Sequence, residues 1–117
     1  MEMALENIKV LDLTRVLAGP FATMVLGDLG ADIIKIEMPI KGDDARHFGP
    51  YIKEESAYFI SLNRNKRSMT LNLKADKGRE IFLEMIKEVD VIVENYRPGT
   101  MEKLGLGYET KKDINPK

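Results

Sequence analysis

Several short segments of this sequence carry side chains suited to holding a charged ligand. Arg64, Lys66 and Arg67 put three cations into four positions, with Asn63 and Asn65 between and beside them. Such a cluster can neutralise a phosphate, line a solvated loop, or form a weak nucleic-acid patch. Composition alone favours the solvated loop, while the asparagines suit a turn with specific backbone hydrogen bonds. Asn95-Tyr96-Arg97 combines an amide, an aromatic ring and a guanidinium, which can bond and stack on a nucleotide; the plainer reading is a tyrosine covering a sheet edge. Asp43, Asp44, Arg46 and His47 contain the ingredients of acid–base chemistry. His47 is the sole histidine, however, and a lone histidine in a polar loop is more often structural than catalytic. No Ser–His–Asp order fits the spacing. Asp12 reads as a hydrogen-bonding residue at the end of a strand rather than a nucleophile.

The elements that must position these groups follow from periodicity. Residues 8–14 (IKVLDLT) read as a strand, a short apolar run with β-branched members. A loop over 15–19 leads to Pro20, well placed to open a helix. Phe21, Met24, Val25 and Leu29 recur at helical spacing, and Gly30 closes the helix. Residues 33–37 (IIKIE) form the next strand. Residues 38–55, rich in Gly, Pro and Asp, read as an irregular excursion of the kind that is functional or mobile more often than a plain connection. Ser56 caps a short helix over 56–63. Residues 68–73 alternate as a strand, and 77–89 form an amphipathic helix with Asp76 as its cap and Ile81, Phe82, Met85, Ile86 and Val89 on one face. A strand over 90–95 has Val91–Val93 as its apolar centre. Pro98 opens a helix that Gly105 ends, 108–114 form another, and 115–117 carry a turn signal. The order β-α-β-loop-α-β-α-β-α predicts an α/β domain over 1–117: an open, mostly parallel sheet with a Rossmann-like βαβ start.

In that arrangement ligands meet the carboxyl ends of strands and the N-termini of the following helices. The turn Thr14-Arg15-Val16-Leu17-Ala18-Gly19-Pro20 is the first such place. Glu37 ends the second strand, where a dinucleotide fold puts its ribose-binding acid; alone it reads as a solvated strand end. The pattern G-x-G-x-x-G is missing, since the nearby glycines are Gly19, Gly27 and Gly30, which argues against NAD.

Composition narrows the remaining classes. A formal net charge of −1 gives no global argument for nucleic acid or an anionic membrane, so a local cluster must hold any anion. With no cysteine and one histidine, disulfides, thiolate nucleophiles and Cys- or multi-His metal sites are excluded. No metal is expected. No apolar run approaches the roughly 20 residues of a membrane span, and the first seven residues lack the features of a signal peptide. The expected location is cytoplasmic.

The stretches IKVLDLTRVLAGPFATMVLGDLGADIIKIE, GDDAR, YFISLNRNKRSMTLNLK, GREIF and VIVENYRPGTMEKLGLGYE resemble the amino-terminal part of the class III CoA-transferases. This superfamily includes formyl-CoA transferase, carnitine CoA-transferase and α-methylacyl-CoA racemase. The match runs in order through nearly the whole chain, which the resemblance therefore marks as the N-terminal part of a larger fold. It implies coenzyme A or acyl-CoA as substrate, contacted by Val16, Leu17 and Ala18 at the first turn, Leu71, Asn72 and Lys74 after the third strand, and Asn95, Tyr96, Arg97 and Lys103 after the fourth. Met38 stands where formyl-CoA transferase has an arginine near the adenine; a methionine can pack on the base through sulfur but brings no charge. Leu17 stands where formyl-CoA transferase has a glutamine facing the acyl group, which implies a less polar acyl group. The family chemistry passes through an aspartyl-CoA thioester, and no aspartate here matches the nucleophile's motif, so that residue is expected beyond Lys117 and the fragment alone is expected to be inactive. Carboxylic acids would be the other substrates and the whole enzyme an interlocked homodimer. Two further readings stand beside this one: the racemase branch, and a stand-alone CoA- or nucleotide-binding module.

Overall fold

A computed structural model of the chain describes residues 2–116; Met1 and Lys117, the outer ends of two segments named above, lie outside the described residues. Strand β1 (Lys9–Asp12) leads into helix α1 (Ala18–Asp28) and then β2 (Asp32–Glu37). The excursion that follows is less irregular than its composition suggests. It holds a 3-10 turn (Asp44–His47) and a small antiparallel hairpin of β3 (Tyr51–Ile52) and β4 (Glu55–Ser56). Helix α2 (Ala57–Leu62), strand β5 (Lys66–Thr70), helix α3 (Asp76–Ile86) and strand β6 (Val91–Val93) come next, followed by α4 (Thr100–Lys103) and α5 (Tyr108–Ile114).

The main sheet has the order β5-β2-β1-β6, and every pairing in it is parallel. The fold is thus α/β with an open, mostly parallel sheet. The chain grows outward from β1 through β2 to β5, then returns to the other side of β1 for β6. Strand order therefore reverses between β1 and β6, and the carboxyl ends of the strands near such a reversal are where open α/β sheets ordinarily receive ligands.

One side of the sheet is an apolar layer: Leu11, Leu13, Ile36, Leu71, Leu73, Phe82, Ile86, Met101 and Leu106 pack there. Residues alternate across a strand, so Val10 and Ile33 face the other side, with Ala31 and, partly buried, Leu26 of α1. Farther along the same strands that second face turns polar, with Asp12, Lys35 and Glu37 all buried. This change of character along one face is what builds the site.

Several boundaries differ from expectation, each for a local reason. Strand β5 begins at Lys66, not Ser68, and leaves the ladder after Thr70 because its partner β2 ends at Glu37; Leu71 and Leu73 turn into the apolar layer. Pro20 is the third residue of α1 rather than the first, still among the positions whose N–H has no helical partner. Asp76 is the first residue of α3 instead of its cap, and Ala75 at the cap makes no side-chain hydrogen bond. That helix stops at Ile86 because the next three N–H groups bond back three residues, to Glu84, Met85 and Ile86, which tightens the last turn. Ile81 lies partly exposed, off the buried face. Pro98 precedes α4, separated from it by Gly99 at φ 87°. In α1, Met24 is buried as expected, but Phe21, Val25 and Leu29 point outward with Leu17; the helix is apolar on both sides, and its inner side is Pro20, Thr23, Met24 and Gly27.

Candidate functional site

The turn after β1 is held from three directions. The Asn95 side-chain oxygen accepts from the Arg15 N–H (3.1 Å) and its NH2 donates to the Arg15 carbonyl (2.8 Å), a reciprocal pair that ties the loop after β6 to the loop after β1. The Lys35 ammonium donates to the Thr14 carbonyl at 2.8 Å. The Asp43 Oδ1 accepts from the Val16 N–H at 3.0 Å. Four consecutive backbone polar groups of a loop are thus each bound by a side chain from another element. Arg15 projects from the middle of this clamp, its guanidinium 5.2 Å from the centre of the Tyr96 ring and 3.9 Å from Asp44. Burial pushes the Tyr96 hydroxyl above its ordinary pKa, and Arg15 opposes this.

Beneath the turn lies the polar half of the sheet. Lys35 and Asp43 form an ion pair at 2.9 Å with both side chains buried. Asp43 Oδ1 also accepts from the Ala45 N–H and so caps the 3-10 turn. Glu37 accepts from Arg46 on both oxygens (2.7 and 2.9 Å), from the Asp43 N–H and from the Ser68 hydroxyl. Burial pushes the Glu37 carboxyl up, but these donors outweigh it and hold the pKa at about 2. Arg46 lies over the Phe59 ring at 3.8 Å. Glu37 is therefore neither a solvated strand end nor free to bind a ribose. Asp44, Arg46 and His47 form no acid–base group either: Arg46 is taken by Glu37, and the His47 Nε2 meets the Lys41 carbonyl.

The cation cluster resolves in the same way. Lys66 is not a loop residue: its ammonium is buried against Asp12 at 3.0 Å and donates to the Pro20 carbonyl and the Asn63 side chain. Arg64 pairs with Asp28, and Arg67 with Asp32. Asp12 accepts from Thr14 through N–H and hydroxyl and from the Thr23 hydroxyl. Burial pushes its pKa up; Thr14, Lys66, Thr23 and Lys35 together bring it below the ordinary value. It is a hydrogen-bonding strand-end residue.

A cleft of about 460 Å³ opens over the carboxyl ends of β1, β2 and β5. Its walls are mainly apolar, from Ile36, Met38, Pro39, Leu71, Leu73 and Leu104, with the Tyr96 ring beside them; Arg15 and Lys74 bring cations. Five of the expected contact residues line it: Met38, Leu71, Asn72, Lys74 and Tyr96. Val16, Leu17 and Ala18 form the adjoining turn, with Leu17 capping α1 and about half exposed. Asn95 stands behind Arg15. Arg97 is exposed on the loop after β6, and Lys103 is exposed on α4, whose Thr100 and Leu104 reach the cleft. The two carboxylates of the lining, Glu37 and Asp43, are both paired, and the Thr14 hydroxyl donates to Asp12. The cleft can bind an anionic molecule with an apolar or aromatic body, and neither carboxylate of its lining is free to act as a nucleophile.

Sequence reasoning missed the parts played by Lys35 and Arg15. A signal existed for Lys35: within IIKIE it shares a face with Ile33 and Glu37 (two residues each way), so a sheet buried on both sides demands a counter-charge for it.

Residues 5–117 match the family model described as CoA-transferase family III. Human succinyl-CoA:glutarate CoA-transferase is 56% identical over 113 residues, covering 96% of this chain and 26% of the relative. An acyl-CoA transferase of Fusarium pseudograminearum is 50% identical over 127 residues, covering 97% and 27%. Among solved structures, a CAIB/BAIF family protein from Brucella suis superposes with a TM-score of 0.91 at 42% identity, covering 98% of this chain and 32% of that one. The chain spans between about a quarter and a third of the length of these relatives.

Proposed function

This chain belongs to CoA-transferase family III, and from that premise we propose that it supplies the coenzyme A-binding part of an enzyme that moves CoA between an acyl-CoA and a carboxylic acid. The observation that carries the reading is the cleft over the carboxyl ends of β1, β2 and β5, where Arg15 and Lys74 stand beside apolar walls and the Tyr96 ring. The ring and the Met38 side chain suit a purine, and the cations suit the phosphates. The N-terminus of α1, which has no side-chain cap and no acid in its first turn, adds unpaired N–H groups. Val16, Leu17, Ala18, Arg97 and Lys103 flank the cleft and extend the proposed contact surface. Asn95 acts by holding Arg15.

In the proposed reaction a carboxylate attacks the acyl-CoA carbonyl and expels the CoA thiolate, leaving a mixed anhydride. The thiolate then attacks the enzyme's side of that anhydride, forming an aspartyl-CoA thioester and releasing the donor acid. The acceptor acid takes CoA by the same two steps. No carboxylate of this cleft is free for that role, so in this reading these residues bind the nucleotide and the aspartate comes from elsewhere in the enzyme. The outward stripe of Leu17, Phe21, Val25 and Leu29 along α1 and its two caps supports a covered surface there, in keeping with a homodimer of the whole enzyme, which this reading places in the cytoplasm.

Titration calorimetry of this chain with CoA, and separately with ADP, tests the reading. Saturable binding of CoA is expected, weakened by Arg15→Ala and by Lys74→Ala and by rising salt. No heat at millimolar CoA would refute it.

A further inference from the structure

Val16 has φ 73°. For a β-branched residue this left-handed backbone is an outlier, costly unless its surroundings enforce it. The enforcing group is visible. The Val16 N–H donates to Asp43 Oδ1 at 3.0 Å, and Asp43 is held in turn by Lys35 at 2.9 Å on its other oxygen. Lys35 also takes the Thr14 carbonyl, two residues before Val16. The pair thus grips the chain on both sides of Arg15, the residue that reaches the cleft. Neither partner's charged group lies in the open: side-chain exposures are 2% for Lys35 and 0% for Asp43. A buried pair of this kind is weak evidence for stability, since apolar residues of similar volume serve as well or better. Its presence calls for another explanation.

We infer that the Lys35–Asp43 pair is a positioning device: it holds Val16 in the left-handed conformation and thereby aims the Arg15 guanidinium into the cleft. Lys35 lies outside the cleft lining, and Asp43 meets the cleft only with a carboxylate already engaged by Lys35 and by backbone N–H groups. The inference rests on the CoA-binding reading for its functional half, and on backbone geometry alone for the other half.

Two variants that lose the ion pair equally isolate the Asp43 oxygen. Lys35→Met with Asp43→Asn keeps an oxygen for the Val16 N–H; Lys35→Met with Asp43→Ala does not. Melting curves first establish that both fold. Strain of this kind corresponds to about tenfold in an equilibrium constant. CoA affinity by calorimetry is therefore expected to fall about tenfold more in the alanine pair than in the asparagine pair. Adding Val16→Gly to the alanine pair should recover most of that difference, because glycine takes positive φ freely. A folded alanine pair binding CoA as tightly as the asparagine pair, or a triple variant without recovery, would overturn the inference. A wild-type chain that binds no CoA sinks the CoA reading instead and leaves the backbone half open to its own measurement, amide hydrogen exchange at Val16. Strong protection in the wild type is expected, lost in the alanine pair. Exchange at the rate of an unprotected peptide in the wild type overturns the device, and it does so even if the alanine pair fails to fold.

Discussion

Replacing Glu37 by glutamine should weaken the fold in a pH-dependent way whose size follows from the site. Glu37 is 6% exposed and accepts from the Asp43 N–H, from two nitrogens of Arg46 and from the Ser68 hydroxyl. Burial alone would raise its pKa; the donors reverse the sign and bring it from 4.5 to about 2. A depressed carboxyl stabilises the fold when ionised, so its contribution is full above pH 4.5 and is lost as pH falls toward 2. The gap between those two values corresponds to about 3 kcal/mol. That is a large share of the roughly 5–15 kcal/mol that holds typical domains folded. Urea denaturation followed by circular dichroism, on wild type and Glu37→Gln in parallel from pH 7 to pH 2.5, measures it. Near neutrality the variant should be less stable by about 3 kcal/mol. Below pH 4.5 the difference should shrink steadily, because a protonated Glu37 and a glutamine are then alike in charge. Asp12 titrates too, but in both proteins, so the difference isolates Glu37. A gap that stays constant from pH 7 to pH 3 would refute the reasoning, and would mean that shape at this position matters rather than charge.

Other consequences are simpler to test. Gly78 lies within α3, where alanine would ordinarily stabilise by about 0.5–1 kcal/mol, yet a Cβ there would stand 1.9 Å from the Asn72 carbonyl oxygen. Gly78→Ala should therefore lower the melting temperature, and a rise would contradict the close approach of the helix to the β5–α3 turn. Asn95→Ala releases both backbone groups of Arg15 at an exposed site where water replaces them; stability should drop by only about 1 kcal/mol, while CoA affinity falls with the loss of Arg15's aim, and calorimetry that shows unchanged affinity would argue against the clamp. The Leu17, Phe21, Val25 and Leu29 stripe should make the isolated chain self-associate, so light scattering that shows a clean monomer at high concentration would speak against it as a covered surface.

Much of the framework was legible in the sequence because it depends on local rules. Period-2 and period-3.6 patterns located the strands of the main sheet and the helices, Ser56 capped α2 as expected, and Gly30 and Gly105 both follow helix ends with positive φ. The strand-end turns that line the cleft follow from topology once the element order is known. What escaped was pairing at a distance. Arg64, Lys66 and Arg67 are neighbours in sequence, so they read as one cluster. In space each has its own acid, contributed by α1, β1 and β2 respectively. Glu37 and Arg46 are separated by a loop whose composition looks unstructured, and its order comes from the pairs it makes with β2 rather than from any propensity of its own. Helix ends erred where a side-chain cap was assumed: Asp76 could cap α3 by type, but it lies one residue inside the helix and pairs with Arg79.

The buried charges on the α1 side of the sheet make sense only together. Asp12, Lys35, Glu37 and Lys66 occupy positions where a parallel sheet ordinarily places Val, Ile or Leu. An apolar layer would stabilise at least as well, as it does on the opposite face. It would not, however, supply the groups that hold the loop after β1: an ammonium for the Thr14 carbonyl, a carboxylate for the Val16 N–H, and a second carboxylate, Glu37, that orients the first through its backbone. The excursion over 38–55 exists on this account to bring Asp43 and Arg46 back over β2. Charge is buried at the carboxyl ends of the strands because the turn there has to be built to one shape, and that shape decides where Arg15 points.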